Sequence, residues 1–164
     1  MTAHTSPVEL LVRLLDQAYD RKSWHGPNLR GSIRGLDAAV AGWRPAQGRR
    51  CIWEIVVHAA YWKYAVRRRL LGEKRGSFPR RGSNWFAAPE PLSEADWREA
   101  VGLLEQTHRT MRAAVAGLRP ADLHARAAGS KRGNFYLVSG VAAHDLYHAG
   151  QIQLLKRLAR GGAA

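Results

Sequence analysis

Residues 137–158 read LVSGVAAHDLYHAGQIQLLKRL. Their spacing predicts a long helix with one inward stripe. Counted in alternating steps of four and three, that stripe is Leu137, Val141, His144, His148, Gln151, Leu155 and Leu158. Apolar side chains hold its two ends, and nitrogen-bearing side chains hold its middle. Burying an unpartnered polar group costs about 1–3 kcal/mol, so a run of them requires partners. His144 and His148 stand at i and i+4, one turn apart on one face, a spacing at which two imidazoles reach a single metal ion.

Upstream, the chain reads as helices throughout. Ser6-Pro7-Val8-Glu9 is a helix start, with Ser as N-cap, Pro at the first position and Glu closing a capping box. Val8, Leu11, Leu15 and Ala18 continue it to about residue 21. Leu29, Ile33, Leu36 and Val40 predict a shorter second helix, weakened by Gly31, Gly35 and Gly42. Ile52, Ile55, Ala59, Trp62 and Val66 predict a third over about 50–71, stopped by Gly72. The glycine-, proline- and arginine-bearing segment 72–92 is irregular, and loops of that length tend to cover or line a site. Ser93 restarts a helix whose stripe is Trp97, Val101, Leu104, His108, Met111, Val115 and Leu118. With a polar loop over 119–134 and no β-alternation, the pattern predicts an all-α protein. It reads as a four-helix bundle with one short extra helix, forming a single domain over 1–164.

Composition bounds the function. The 164 residues carry 26 Lys plus Arg against 13 Asp plus Glu, a net charge of +13 that suggests an acidic partner such as nucleic acid. The arginines run from Arg13 to Arg160 and cluster only at Arg49-Arg50, Arg67-Arg68-Arg69 and Arg80-Arg81. A dedicated nucleic-acid arm concentrates its charge, and consecutive helical residues cannot all face one groove. Nucleic acid is therefore not the expected partner. A lone cysteine, Cys51, excludes an internal disulfide and a cysteine-based zinc module. No apolar run reaches membrane-spanning length and no apolar leader is evident, so the expected compartment is the cytoplasm, without membrane contact.

His58 has Ile55 before it and Trp62 after it, so it borders the inward face of the third helix. Three imidazoles on two facing helices, with no fourth protein ligand evident, would leave open coordination positions, the arrangement of catalytic rather than structural metal sites. The same residues also read as core histidines hydrogen-bonded to carbonyls, and spacing leaves both readings open. Candidate assisting residues are Gln151, three residues after His148, Glu54, one turn before His58, and His25, in the turn after Trp24. Asp145 falls off the stripe and reads as an exposed ion pair. Trp62 and Tyr147 read as core aromatics, with pocket walls as the alternative. His108 reads as a core or supporting histidine rather than a ligand, and His4 and His124 as bystanders. Cys51, at a helix N-terminus, is placed for a lowered pKa but has no partner that marks it as a nucleophile.

The run His144-Asp145-Leu146-Tyr147-His148-Ala149-Gly150-Gln151-Ile152 resembles the C-terminal signature of the DinB/YfiT-like family, HxxxHxGQI. Ile52 to Trp62, with His58 ahead of an aromatic pair, resembles that family's earlier helix. Trp24-His25-Gly26-Pro27 and Gly82-Ser83-Asn84-Trp85 are similar to features of one branch. The resemblance implies a four-helix bundle with a long crossover connection, often a homodimer. It also implies a divalent metal on His58, His144 and His148. Similar proteins include thiol S-transferases that use low-molecular-weight bacterial thiols, and hydrolases.

Neutral imidazoles favour zinc, nickel, cobalt, iron or copper over magnesium and calcium, and zinc is the first expectation with nickel second. The expected function is a metalloenzyme that activates water or a low-molecular-weight thiol against a small-molecule substrate. The alternative is a basic nucleic-acid-binding or stress-response protein in which the metal is structural or absent. The basic residues of the 72–92 segment, Arg80 and Arg81 among them, are candidates for drawing an anionic substrate inward.

Overall fold

Ser6 opens the first helix, α1 (Pro7–Tyr19), by accepting a hydrogen bond from the Val8 N–H at 3.3 Å. The computed structural model describes residues 5–161. Asn28 and Asp37 cap two short helices, α2 (Leu29–Ser32) and α3 (Ala38–Gly42), through the Gly31 and Val40 N–H groups. The single helix expected over this stretch is therefore broken in two. Gly35 lies between them at φ 69°, a left-handed conformation that a helix cannot continue through.

The α4 helix (Ile52–Leu71) starts at Cys51, whose N–H donates to the Glu54 carboxylate at 3.3 Å. It stops at Gly72, left-handed at φ 68°. After the irregular segment, Ser93 and Asp96 cap α5 (Glu94–Ala116) reciprocally. A 3₁₀ turn, Pro120–His124, precedes α6 (Asn134–Gly161). Among the described residues there is no strand, and one isolated bridge joins Arg126 to Gly133. No described helix is long and apolar enough to cross a membrane.

The four long helices pack in a ring: α4 against α5 and α6, and α1 against the same two. One core cluster centres on Trp53, Val56, Leu104 and Ile152; the other on Leu15, Met111, Val115 and Val138. Residues 51–60 are buried without interruption, because α3, α5, α6 and the 72–92 segment close around that end of α4.

The inward stripe of α6 is rotated from its expected position. Its buried residues are Val138, Val141, Ala142, Asp145, His148, Ala149, Ile152 and Leu155, while Leu158 is 45% exposed. Asp145 therefore lies at the centre of the buried face, not in an exposed ion pair. The cause is Lys63 on α4. Its ammonium donates to the Asp145 carboxylate, and both side chains are fully buried. Burial pushes the Lys63 pKa down and the Asp145 pKa up, and their mutual attraction opposes both shifts.

Beside this pair, Tyr19 stacks on His108 with ring centres 3.6 Å apart, and the Lys63 ammonium lies 5.0 Å from the Tyr19 ring. His108 is thus a core histidine and is not a member of the three-histidine group among the described residues.

Removing one member of a buried pair strands the other charge, at about 3–5 kcal/mol. D145A should lose stability of that order in urea unfolding, and the double variant K63M/D145L should recover most of it. A D145A loss under about 1 kcal/mol would contradict a desolvated pair.

Candidate metal centre

Two of the three histidines of the cluster, His58 and His148, are each aimed by a specific neighbour. On α4, the His58 ring lies flat against Trp85, with centres 3.8 Å apart and planes 7° from parallel. Its Nδ1–H donates to the Asn84 carbonyl at 2.7 Å. A carbonyl only accepts, so Nδ1 carries the proton and the lone pair of Nε2 points away from the loop. Asn84 adopts φ 67°, a left-handed conformation that asparagine tolerates better than most side chains. Its side-chain oxygen accepts from the Trp62 indole at 2.9 Å, which ties the 72–92 segment to α4. The Arg50 guanidinium covers the outer side of this stack, 4.6 Å from the Trp85 ring.

On α6, the His148 Nδ1–H donates to Gln151 Oε1 at 2.7 Å. The Gln151 amide in turn donates to the Tyr147 hydroxyl at 3.0 Å, which keeps Oε1 turned toward the imidazole. His148 Nε2 is therefore also unprotonated. Both lone pairs converge on His144: its Nε2 is 3.0 Å from His58 Nε2 and 3.0 Å from His148 Nε2. One ligand nitrogen from each of the three residues lies within 4.8 Å of the others.

A single N–H on His144 can satisfy only one of two facing acceptors. A cation at the centre satisfies all three nitrogens, so the donor set fits a metal ion.

The electrostatics agree with that fit. Burial drives the His144 pKa from 6.5 to about 3, with further lowering from His148, His58 and Lys63. Burial likewise takes His148 to about 4, although its bond to Gln151 pulls the other way. His58 is also lowered by burial, against the effect of the Asn84 carbonyl. Neutral imidazoles at physiological pH are the form that ligates.

The other sequence candidates divide. Gln151 belongs to the cluster through His148. Glu54 does not: its buried carboxylate is held by Arg44 at 2.9 and 3.1 Å and by the Cys51 N–H. His25 is exposed in the turn between α1 and α2, and no contact among the described residues brings it to the cluster. Cys51 is fully buried and burial raises its thiol pKa, the reverse of an activated nucleophile.

The two aromatics expected in the core are not there. Trp62 is half-buried at the edge of the cluster, and Tyr147 is 64% exposed. Trp62 borders a cleft of about 160 Å³ between α4 and α6 that ends at His144, with Val66, Leu137 and Val141 as its apolar walls. His124 is exposed on the 3₁₀ turn, and His4 lies outside the described residues. Asn84 and Trp85 carry roles that spacing could not assign, since they sit in a segment without periodicity. The available signal was turn chemistry: Gly82-Ser83-Asn84 immediately before a tryptophan.

The family model of the DinB superfamily matches residues 23–152, a span that includes all three histidines and Asn84. No curated protein and no solved structure matches the chain.

His108 joins His144 and His148 as a ring held neutral, its pKa lowered by burial to about 2. In the unfolded chain all three titrate near 6.5. Below that pH the unfolded state takes up protons that the folded state refuses. The melting temperature of EDTA-treated protein should therefore fall as pH is lowered from 6.5 toward 4. In H108F, which keeps a ring against Tyr19, the fall should be shallower; equal slopes would reject the assignment.

Proposed function

The chain belongs to the DinB superfamily, and from that premise we propose that it is a metalloenzyme whose His58, His144 and His148 hold one divalent ion. The observation that carries this reading is the convergence of three Nε2 atoms, two of them with their lone pairs fixed inward by bonds at Nδ1. An ion held there supplies a Lewis acid that lowers the pKa of water or of a thiol to near neutrality. Zinc is the first choice and nickel the second, because three imidazoles suit both.

The chain's own groups have distinct tasks. Asn84 and Gln151 fix the tautomers of His58 and His148, which sets the direction of both ligand lone pairs. Trp85 shields one face of His58 from water. Trp62 and the apolar walls beside His144 form a largely apolar approach, edged by Arg69, through which a substrate reaches the cluster. Three protein ligands leave positions for substrate, which favours catalysis over a purely structural ion. The reaction class is hydrolysis, or S-transfer from a low-molecular-weight thiol to a small electrophile. We place this activity in the cytoplasm, in a single-domain chain.

We also propose a homodimer. Tyr136, Gly140, Ala143, Tyr147, Gly150 and Leu154 form an exposed apolar stripe on α6, spaced at steps of three and four. A continuous strip of this kind suits a second copy of the same helix.

Protein purified without a nickel column should contain about one divalent ion per chain by elemental analysis. H144A and H148A should lose it while H108F keeps it; wild-type metal content in the first two would show the ligand assignment to be wrong. Loaded protein should turn over electrophiles in a thiol- or water-dependent manner, and the histidine variants should not. Leu154→Glu, at a site 59% exposed, should convert a dimer to a monomer in light scattering without loss of helicity.

A further inference from the structure

A second cleft, of about 390 Å³, opens between the C-terminal half of α4 and the 72–92 segment. Arg68, Arg69, Arg75, Arg80 and Arg81 line it, and no Asp or Glu does. So many guanidinium groups around one small volume repel one another unless something of opposite charge lies between them.

The chain's own acids do not fill that role. Arg80 pairs with Glu99 at 3.0 Å and lies over the Trp53 ring at 5.0 Å, while its Nε is buried without a hydrogen-bond partner. Arg68 donates only to the Glu73 carbonyl, at 3.1 Å. Arg75 and Arg81 are exposed and form no ion pair among the described residues. Arg69 forms none either, and its Nε is buried without a hydrogen-bond partner. Arg67, the remaining member of the triplet, pairs with Glu73 and faces away from the cleft.

The apolar part of the lining is made of mutually packed rings. Phe78 packs on Tyr61 and Tyr64 with ring centres 5.3 and 5.4 Å away. The Gly76 N–H donates to the Tyr64 hydroxyl at 3.3 Å, anchoring the segment to α4.

We propose that this cleft binds a small multivalent oxyanion, bearing phosphate or carboxylate groups on an apolar body. Guanidinium groups match both anions through paired N–H donors. The volume suits a small ligand. The aromatic rings pack on one another instead of standing free as the stacking platforms that a nucleic-acid strand uses. Trp62 and Arg69 border both this cleft and the one that ends at His144, so the bound anion lies beside the histidine cluster. The anion site rests on the arginines alone and does not depend on metal binding.

Titration calorimetry with pyrophosphate and with citrate, in separate arms, tests this and distinguishes phosphate from carboxylate preference. The wild type should bind at least one probe, more weakly as salt is raised. R75Q/R81Q, which breaks no internal pair, should keep its helicity and bind about tenfold more weakly or worse. H144A should bind as the wild type does, so that failure of the metal assignment leaves this result standing. The proposal is overturned if neither probe binds, if R75Q/R81Q retains wild-type affinity, or if H144A abolishes binding and so places the anion on the metal. It is equally overturned if a single-stranded oligonucleotide binds more tightly than both probes and loses its affinity in R75Q/R81Q.

Discussion

The buried pair between Lys63 and Asp145 sets the geometry of the site. Neither side chain has access to solvent, so separating them would leave a bare charge among apolar neighbours. That penalty fixes the rotation of α6 about its axis and its register along α4. His144 immediately precedes Asp145, His148 follows it by less than a turn, and His58 precedes Lys63 by little more than one. With the pair formed, His144 and His148 face His58 across the α4–α6 seam.

Desolvation then acts on the histidines as it acts on the pair, with the opposite outcome. Lys63 and Asp145 compensate each other, whereas no carboxylate bonds to His144 or His148, and burial holds both neutral. His58 and His148 are oriented by neutral acceptors, the first by a loop carbonyl and the second by a side-chain amide. A carboxylate in either place would have raised the imidazole pKa and favoured a protonated, non-ligating ring. The acid that sequence placed nearest His58, Glu54, is instead held by Arg44 and the start of α4.

The positive charge divides in a similar way. Arg30, Arg44 and Arg112 are tied into ion pairs that hold segments of the chain together. A smaller group, gathered by the fold from the end of α4 and from the 72–92 segment, faces one cleft without acids. Residues far apart in sequence share that cleft, so their convergence could not be counted from clusters along the chain.

Much of the fold was legible because its signals are local. Ser6, Ser93 and Gly72 act as helix punctuation through bonds and backbone angles within a few residues. The spacing of His144 and His148 placed both on one side of α6, since a helix repeats every 3.6 residues whatever surrounds it. Sequence alone therefore determined the all-α class, most of the long-helix limits and the two histidines that share one side of α6. It could not determine which residue lies at the centre of a buried face, because that depends on what stands opposite. Lys63 draws Asp145 inward, and this displaces His144 to the rim, where a cleft reaches it. Nor could periodicity place Asn84 and Trp85, which sit in a segment with no repeat and act through contacts across the fold. The helix is specified by bonds along the chain; the site is specified by partners that only tertiary packing brings within reach.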